Sequence, residues 1–353
     1  MCQDRAKVKF GCFLPVPATP VDKLLKIAKV NEDAGFDSLW FPDHLLFIPP
    51  GIVPEAWSML AATAVLTNRA LLGTCVTDPH RYKPAVLAQK VATVDQISGG
   101  RVILGLGAGE AMNLEPFGIN WEKPVSKLAE SVTIMRKLWA GEIINFEGEF
   151  WRFKDAFLQI TPVRGKVPIY FGANSPRTLK LTGELADGWL SIPLPPKLYR
   201  QHLELVKEGA EKAGRSLSEI ETGIYLYTAV AENAEEAYRQ IESIKAQIIP
   251  SPALLTEAGY DVELPENLKS ISYFKALPNP EWIEKFLAYS ELIPNEAAIE
   301  FSIVGTANDC IEKINEYVKA GAMHIILVNA GPDPKETLKI YSEKILPYFK
   351  ENR

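Results

Sequence analysis

Short runs rich in β-branched and aromatic residues alternate along this chain with longer stretches whose apolar positions recur at helical spacing. Val8 to Leu14 (VKFGCFL) reads as a first strand. From Pro20 to Ala34, Leu24, Leu25, Ile27, Ala28 and Val30 share a face of helical period, and Gly35 ends it. Ser38 to Phe41 is a second strand, stopped by Pro42-Asp43-His44. Ala56 to Leu66 is apolar on most sides, so its helix is expected to be buried. The alternation continues with strands at Ala70–Thr77, Arg101–Leu106, Pro168–Gly172, Gly188–Ile192, Thr222–Ala229 and His324–Asn329. The matching helices are Lys83–Ile97, Lys127–Trp139, Ser175–Ala186, Pro196–Ala213, Ala234–Ile249 and Lys335–Tyr348.

Eight strand–helix units predict a closed (β/α)8 TIM barrel, because parallel strands need helical crossovers. The strands are near-continuous apolar runs, as strands buried on both faces should be. A doubly wound open sheet is the rival, but it normally splits into two lobes. No Ser/Gly-rich linker or composition break divides the chain, so residues 1–353 are read as one domain with insertions near 142–167 and 250–300. Within the first, Asn145–Pro162 has alternating aromatics and reads as a hairpin. The second, over Pro250–Asn295, is Pro-rich and weakly periodic and reads as loops and short helices. Phe301–Gly305 with Asn308–Ala320 adds a strand–helix piece before the last unit.

Composition narrows the function classes. Of 353 residues, 47% are apolar and 23% charged, which suits a globular core and excludes a disordered or fibrous chain. With 38 Lys and Arg against 44 Asp and Glu, the net charge of −6 gives no support for a nucleic-acid partner. Small anionic ligands need only a few placed donors and stay open. Cys2, Cys12, Cys75 and Cys310 are scattered, which is neither a zinc pattern nor a disulfide framework and fits a reducing cytosol. The start lacks a signal-like apolar run, and no stretch approaches the ~20 apolar residues of a membrane span. The expectation is a soluble cytoplasmic protein.

In such a barrel the working residues sit at the carboxyl ends of the strands. Asp43 and His44 follow strand two; Cys75, Val76, Thr77 and Asp78 end strand three. After strand four, Gly105 to Glu110 (GLGAGE) is G-x-G-x-G, not the dinucleotide G-x-G-x-x-G. Its glycines would let backbone approach a flat or anionic ligand, though alone they fit a tight barrel turn equally well. Glu110 and Asn113 directly behind them favour a site. Of the four histidines, His202 is expected to be solvated mid-helix and His324 opens the last strand from its amino end. His80 could reach the mouth, and His44 is best placed for acid–base work. Asp43 and Glu110 could also suit a metal or glycoside hydrolysis, but no metal-spaced cluster or nucleophile elbow accompanies them. Asn174 or Ser175 caps a helix with Arg177 and Thr178 in its first turn. That suits a phosphate, although an ordinary cap is the commoner case.

From Val8 to about Gly331 the chain resembles the bacterial luciferase-like superfamily, in its branch that uses the deazaflavin coenzyme F420. Thr67 to Asn113 (TNRALLGTCVTDPHRYKPAVLAQKVATVDQISGGRVILGLGAGEAMN) carries the most specific likeness, with DH after strand two and GAGEAMN after strand four. The segment is similar to F420-dependent secondary alcohol and glucose-6-phosphate dehydrogenases. Methylenetetrahydromethanopterin reductases and a phthiodiolone ketoreductase-like group are further relatives.

The resemblance implies a luciferase-like barrel, usually a homodimer, holding coenzyme F420 at its carboxyl end and passing hydride to or from a small-molecule substrate. By match, Asp43, Asp78, Ala108, Gly109 and Asn113 fall on cofactor-contact positions. Cys75-Val76 falls where the family has a non-prolyl cis peptide behind the ring. Asn174, Ser175, Arg177 and Thr178 fall on its phosphate side. His44 and Glu110 match the acid–base pair. The chain departs where the dehydrogenases have DHF-x-P-W: here DHLLFIPP has Leu46, Phe47 and Ile48. Ile192 and Pro195 stand where the sugar-phosphate enzymes have Thr and Lys, which argues against glucose 6-phosphate. Together with Trp57 and Leu194 these residues imply an apolar pocket for an alcohol, ketone or pterin-like carbon substrate. The alternative on the same barrel is an FMN-dependent monooxygenase; a non-enzymatic flavin-binding barrel is disfavoured by His44 and Glu110.

Overall fold

The structure, a computed structural model, describes residues 8–15, 19–47, 51–248, 252–269 and 279–351. Cys2, Ile48 and, within the second insertion, 249–251 and 270–278 lie outside them. The chain runs β1 (Lys9–Phe13), α1 (Val21–Asp33), β2 (Ser38–Phe41), α2 (Ala56–Leu66), β3 (Leu71–Thr74), α3 (Pro84–Ser98), β4 (Val102–Gly107) and α4 (Pro124–Trp139). A hairpin of β5 (Ile144–Glu147) and β6 (Arg152–Ala156) follows, as the alternating aromatics predict. Then come β7 (Ile169–Gly172), α5 (Pro176–Leu185), β8 (Gly188–Ser191), α6 (Pro196–Lys212) and β9 (Glu221–Val230). The rest is α7 (Ala234–Tyr238), α8 (Ile241–Ile248), α9 (Pro252–Glu257), α10 (Pro280–Leu292), α11 (Asn295–Glu300), β10 (Ile303–Gly305), α12 (Ala307–Ala320), β11 (His324–Asn329), α13 (Pro334–Ile340) and α14 (Leu346–Glu351).

All pairings around the ring β1–β2–β3–β4–β7–β8–β9–β11 are parallel, and β11 returns to β1, which closes an eight-stranded barrel. Closure leaves no open edge, and helices cover the outside. β10 pairs with the upper end of β9 as an extra strand, in register Ile303↔Thr228.

Several expectations need correcting. Val30 of α1 is exposed, and the helix buries Leu24, Ala28, Asn31 and Glu32 instead. Glu32 is buried because its carboxylate accepts from the N–H groups of Asn68, Arg69 and Ala70, where the chain enters β3. α2 is buried over most of its length, but Val65 and Leu66 end on the surface. His202 is buried, since the insertion helix α9 covers α6 and brings Glu257 Oε1 to 3.3 Å from its Nε2. The helix read over Ala234–Ile249 is broken into α7 and α8. The second insertion contains α10, a helix of 13 residues rather than only short ones. The last helix passes through a π-helical turn, Tyr341–Ile345, between α13 and α14.

Alternate residues of each strand point into the barrel and fill it in layers. The middle layer is unusual in pairing large side chains with glycine. Trp40 and Tyr170 lie 6.3 Å apart inside the barrel, packed with Ile103, Leu190 and Ile326. A Cβ on Gly73 would stand 2.4 Å from the Trp40 ring, and one on Gly188 2.5 Å from Tyr170. The layer below, at the amino end, is polar and closed. His324, fully buried, has Nε2 2.7 Å from Ser38 Oγ and Nδ1 2.7 Å from Glu221 Oε1. Trp40 Nε1 also donates to Ser38 Oγ, and Lys9 Nζ donates to Glu221 Oε2. Burial alone would raise the Glu221 pKa, but the hydrogen bonds and charges of His324 and Lys9 overcome it and bring it down to about 2.

A carboxylate depressed in this way stabilises the folded state above its ordinary pKa, and the contribution fades as pH falls toward the folded value. Glu221→Gln should therefore cost roughly 2–3 kcal/mol at neutral pH. The gap from the parent should narrow as pH drops below the ordinary value of 4.5. Urea midpoints of both proteins across that range check this; a gap that holds constant with pH would refute it.

Candidate active site

The mouth is shaped first by a bulge between β3 and β4. Gly73 pairs with Ile103, but the next contact is Thr77 with Leu106, so β3 carries one extra residue. The Cys75–Val76 peptide within it is cis. The bulge explains the glycines of GLGAGE. A Cβ on Gly105 would lie 1.8 Å from the Thr74 carbonyl oxygen, and one on Gly107 2.6 Å from Val76. Both are strand residues that admit the bulge. Only Gly109 lies in the turn beyond β4, at φ 84°, against Asp78 and His80. Burial pushes the Cys75 thiol up to about 12, so it stays protonated at neutral pH.

The turn after β2 carries Asp43 and His44, and the turn after β4 carries Glu110, followed by a single 3₁₀ turn, Ala111–Asn113. Asn113, buried, joins the two. Its Oδ1 accepts from the backbone N–H groups of Leu45 at 2.7 Å and Leu46 at 2.9 Å. Its Nδ2 donates to Glu110 Oε2 at 3.2 Å. His44 Nε2 then stands 3.9 Å from Glu110 Oε2, too far for a direct hydrogen bond. An oxygen at the apex of that gap could lie about 2.8 Å from both atoms. The two side chains are 13% and 21% exposed, open enough to meet a ligand. His44 Nδ1 is buried with no hydrogen-bond partner among the described residues, and the ring lies 5.3 Å from that of Phe47.

Asp43 and Asp78 share a cation that the sequence reading passed over. Arg81 Nε donates to Asp78 Oδ2 at 2.5 Å, and its terminal nitrogens donate to Asp43 Oδ1 at 3.1 Å and to the Asp43 carbonyl. Thr77 Oγ1 donates to Asp43 Oδ2 at 2.7 Å. Burial raises the Asp43 pKa above the ordinary carboxylate value against the pull of Arg81 and Thr77. The signal for Arg81 was present in its spacing three residues after Asp78. His80 is pushed below its ordinary value by burial and by Lys127, whose Nζ is 3.4 Å from Nδ1. Tyr225 and Tyr227, also missed, stand half-buried on β9, with Tyr225 6.0 Å from Phe13. Their period-two spacing after Gly223 was the available clue.

On β7 and α5, Asn174 Oδ1 accepts from Ile192 N–H at 3.4 Å. Ser175 and Thr178 form a reciprocal capping box, and exposed Arg177 donates to Ser126 Oγ at the start of α4. Ala108 accepts from Trp121 Nε1. The structure thus bonds Asn113 to Glu110 and to the backbone just after His44, sets His44 3.9 Å from Glu110, and joins Asp43 with Asp78 through Arg81. Val76 reaches Gly172, just before the α5 turn. Of the residues expected to wall an apolar pocket, Trp57 and Leu194 are buried in the core, whereas Leu46, Phe47 and Ile192 are half-buried.

Known proteins resemble the chain over nearly its whole length. The sequence pattern of luciferase-like monooxygenases matches residues 8–324. The 5,10-methylenetetrahydromethanopterin reductase of Archaeoglobus fulgidus is 33% identical over 346 residues, 97% of this chain and 100% of the relative. The solved structure of the coenzyme F420 dependent tetrahydromethanopterin reductase from Methanopyrus kandleri superposes with a TM-score of 0.84 at 27% identity, covering 98% of this chain and 100% of that one. An F420-dependent secondary alcohol dehydrogenase, solved with an F420–acetone adduct, gives 0.81 at 27% identity over 96% and 98% of the two chains.

Asn113 holds two loops through one amide, so its removal should be felt in both. Asn113→Ala is expected to cost about 1–3 kcal/mol and to speed hydrogen exchange at the Leu45 and Leu46 amides. Exchange measured by NMR or mass spectrometry checks this, and unchanged protection of 44–47 would show that the crosslink does not hold the turn.

Proposed function

The chain belongs to the luciferase-like monooxygenase family, and from that premise we propose that it is a coenzyme F420-dependent oxidoreductase acting on an alcohol, ketone or pterin-like carbon centre. The observation that carries this reading is the part-exposed His44–Glu110 pair, 3.9 Å apart and tied through Asn113. The names of the similar reductase and dehydrogenases support coenzyme F420 over FMN.

When bound, the deazaflavin supplies a ring carbon that takes or gives a hydride. The residues at the mouth suit such a ring. Val76 fills the room that Gly107 and Gly172 leave and forms a smooth apolar floor, and Gly109 brings bare backbone to the turn. In this reading Asp43, Asp78, Ala108, Gly109 and Asn113 would contact the cofactor, and the Cys75–Val76 peptide would lie behind its ring. Asn174, Ser175, Arg177 and Thr178 would serve the phosphate side through side chains and the Arg177 amide, since the capping box engages the Ser175 and Thr178 N–H groups and Pro176 has none.

Removing hydride from a carbinol leaves a proton to be taken, and the reverse reduction needs one given. His44 serves as the main acid/base at Nε2, and Glu110 as partner or second proton carrier. Leu46, Phe47 and Ile192 exclude water from one side of the pocket. The same reading takes the enzyme to be a cytoplasmic homodimer working on a small molecule; among the described residues no helix is long and apolar enough to cross a membrane.

Titrating the apo-protein with coenzyme F420 and with FMN tests the cofactor: binding of the deazaflavin is expected, and FMN binding with NADH-driven oxygen uptake would overturn it. With reduced coenzyme F420 and a panel of ketones, imines and pterins, His44→Ala should lower kcat by about 10²–10⁴-fold, the usual range for a lost acid–base group. Glu110→Gln should act in the same direction, with cofactor affinity within a few-fold for both. Turnover surviving in His44→Ala would remove it from the role.

A further inference from the structure

We propose that Arg81 is the positioning residue for the His44 imidazole. This rests on the reading of His44 as the proton carrier. Among the described residues no hydrogen bond orients the imidazole: Nδ1 is buried without a partner, Nε2 makes no direct hydrogen bond to Glu110, and the ring contact is with Phe47 of the same turn. Its direction must therefore come from the backbone that carries it. That backbone is gripped on both sides. After His44, Asn113 accepts from the Leu45 and Leu46 amides. Before it, Arg81 donates to the Asp43 carbonyl oxygen and to the Asp43 carboxylate with the same guanidinium.

Arg81 can serve as an anchor because it is itself fixed. Its side chain is 8% exposed, and its Nε is held by Asp78, whose Oδ1 also accepts from the His80 and Arg81 amides. A planar fork can serve three acceptors at once; an ammonium can carry the charge but cannot span them. Two buried carboxylates around one cation leave the cluster at −1, so the charge alone can be preserved while the fork is removed.

The test uses the apo-protein labelled with ¹³C at histidine Cε1, with the His44 signal assigned by its loss in His44→Gln. Four histidines give few enough signals to follow. In Arg81→Lys the His44 signal should shift by more than its linewidth or broaden, while those of His202 and His324, distant and buried, stay in place. Exchange of the Leu45 amide should rise about tenfold. If Arg81→Lys does not fold, Asp78→Asn with Arg81→Gln keeps the cluster at −1 and should move the same signal. A His44 signal and Leu45 exchange unchanged in the folded variant would overturn the proposal, as would equal movement of all histidine signals. Neither readout needs cofactor or substrate, so failure of coenzyme F420 to bind the parent protein would refute the functional reading and leave this result standing.

Discussion

The room inside a closed eight-stranded barrel is limited, and here it is filled by a few large side chains that need glycine opposite them. Trp40 fits only because Gly73 and Gly11 carry no Cβ, and Tyr170 only because Gly188 carries none. Protein interiors are packed too tightly for such contacts to relax by tenths of an ångström at no cost. The same economy operates one layer higher. Gly105 lets the Thr74 carbonyl inward, the β3 bulge forms, and Val76 settles between Gly107 and Gly172 as the floor of the mouth. Every residue of the site stands on that floor or on the turns beside it.

Charge is distributed to match this packing. Burying a carboxylate is costly unless it is paired and hydrogen-bonded. At the mouth, Asp43 and Asp78 meet that condition through Arg81 and Thr77. At the closed end, Glu221 meets it through His324 and Lys9. Both clusters lock strand ends together, and the upper one lies beside the His44–Glu110 pair.

Much of the architecture was legible because parallel strands advertise themselves as short apolar runs between amphipathic helices. The eight barrel strands, the hairpin and the extra strand before the last unit all follow from that pattern. What escaped were features set by tertiary contact. Nothing local in α6 says that an insertion helix will cover His202, and nothing local in GLGAGE says which glycines face inward and which one turns the chain. Asp43, His44 and Glu110 were visible because they sit where strands end. Arg81, Tyr225 and Tyr227 were not singled out, because a cation beside two aspartates and a Tyr-x-Tyr alternation acquire meaning only when the barrel closes.

His44 and His324 show how far a shared residue type is from a shared role. His324 has both ring nitrogens engaged, one with Ser38 and one with Glu221, in an order of hydroxyl, imidazole and carboxylate that resembles a hydrolytic triad. Yet it is fully buried, and its serine already accepts from Trp40, so no substrate can reach the hydroxyl. His44 has the opposite design: an orphan Nδ1, an exposed Nε2 side and a carboxylate close but not bonded. A carboxylate bonded to one ring nitrogen fixes the tautomer and leaves the other nitrogen to take a proton and later return it. In His44, among the described residues, no bonded carboxylate fixes the tautomer, and only the Nε2 side is open to a ligand. On the proposed reading, an unfixed tautomer lets Nε2 begin as acid or as base, as hydride and proton exchange at one carbon would require in its two directions, and the groups that orient His44 would then lie in the backbone of its turn and not on its ring.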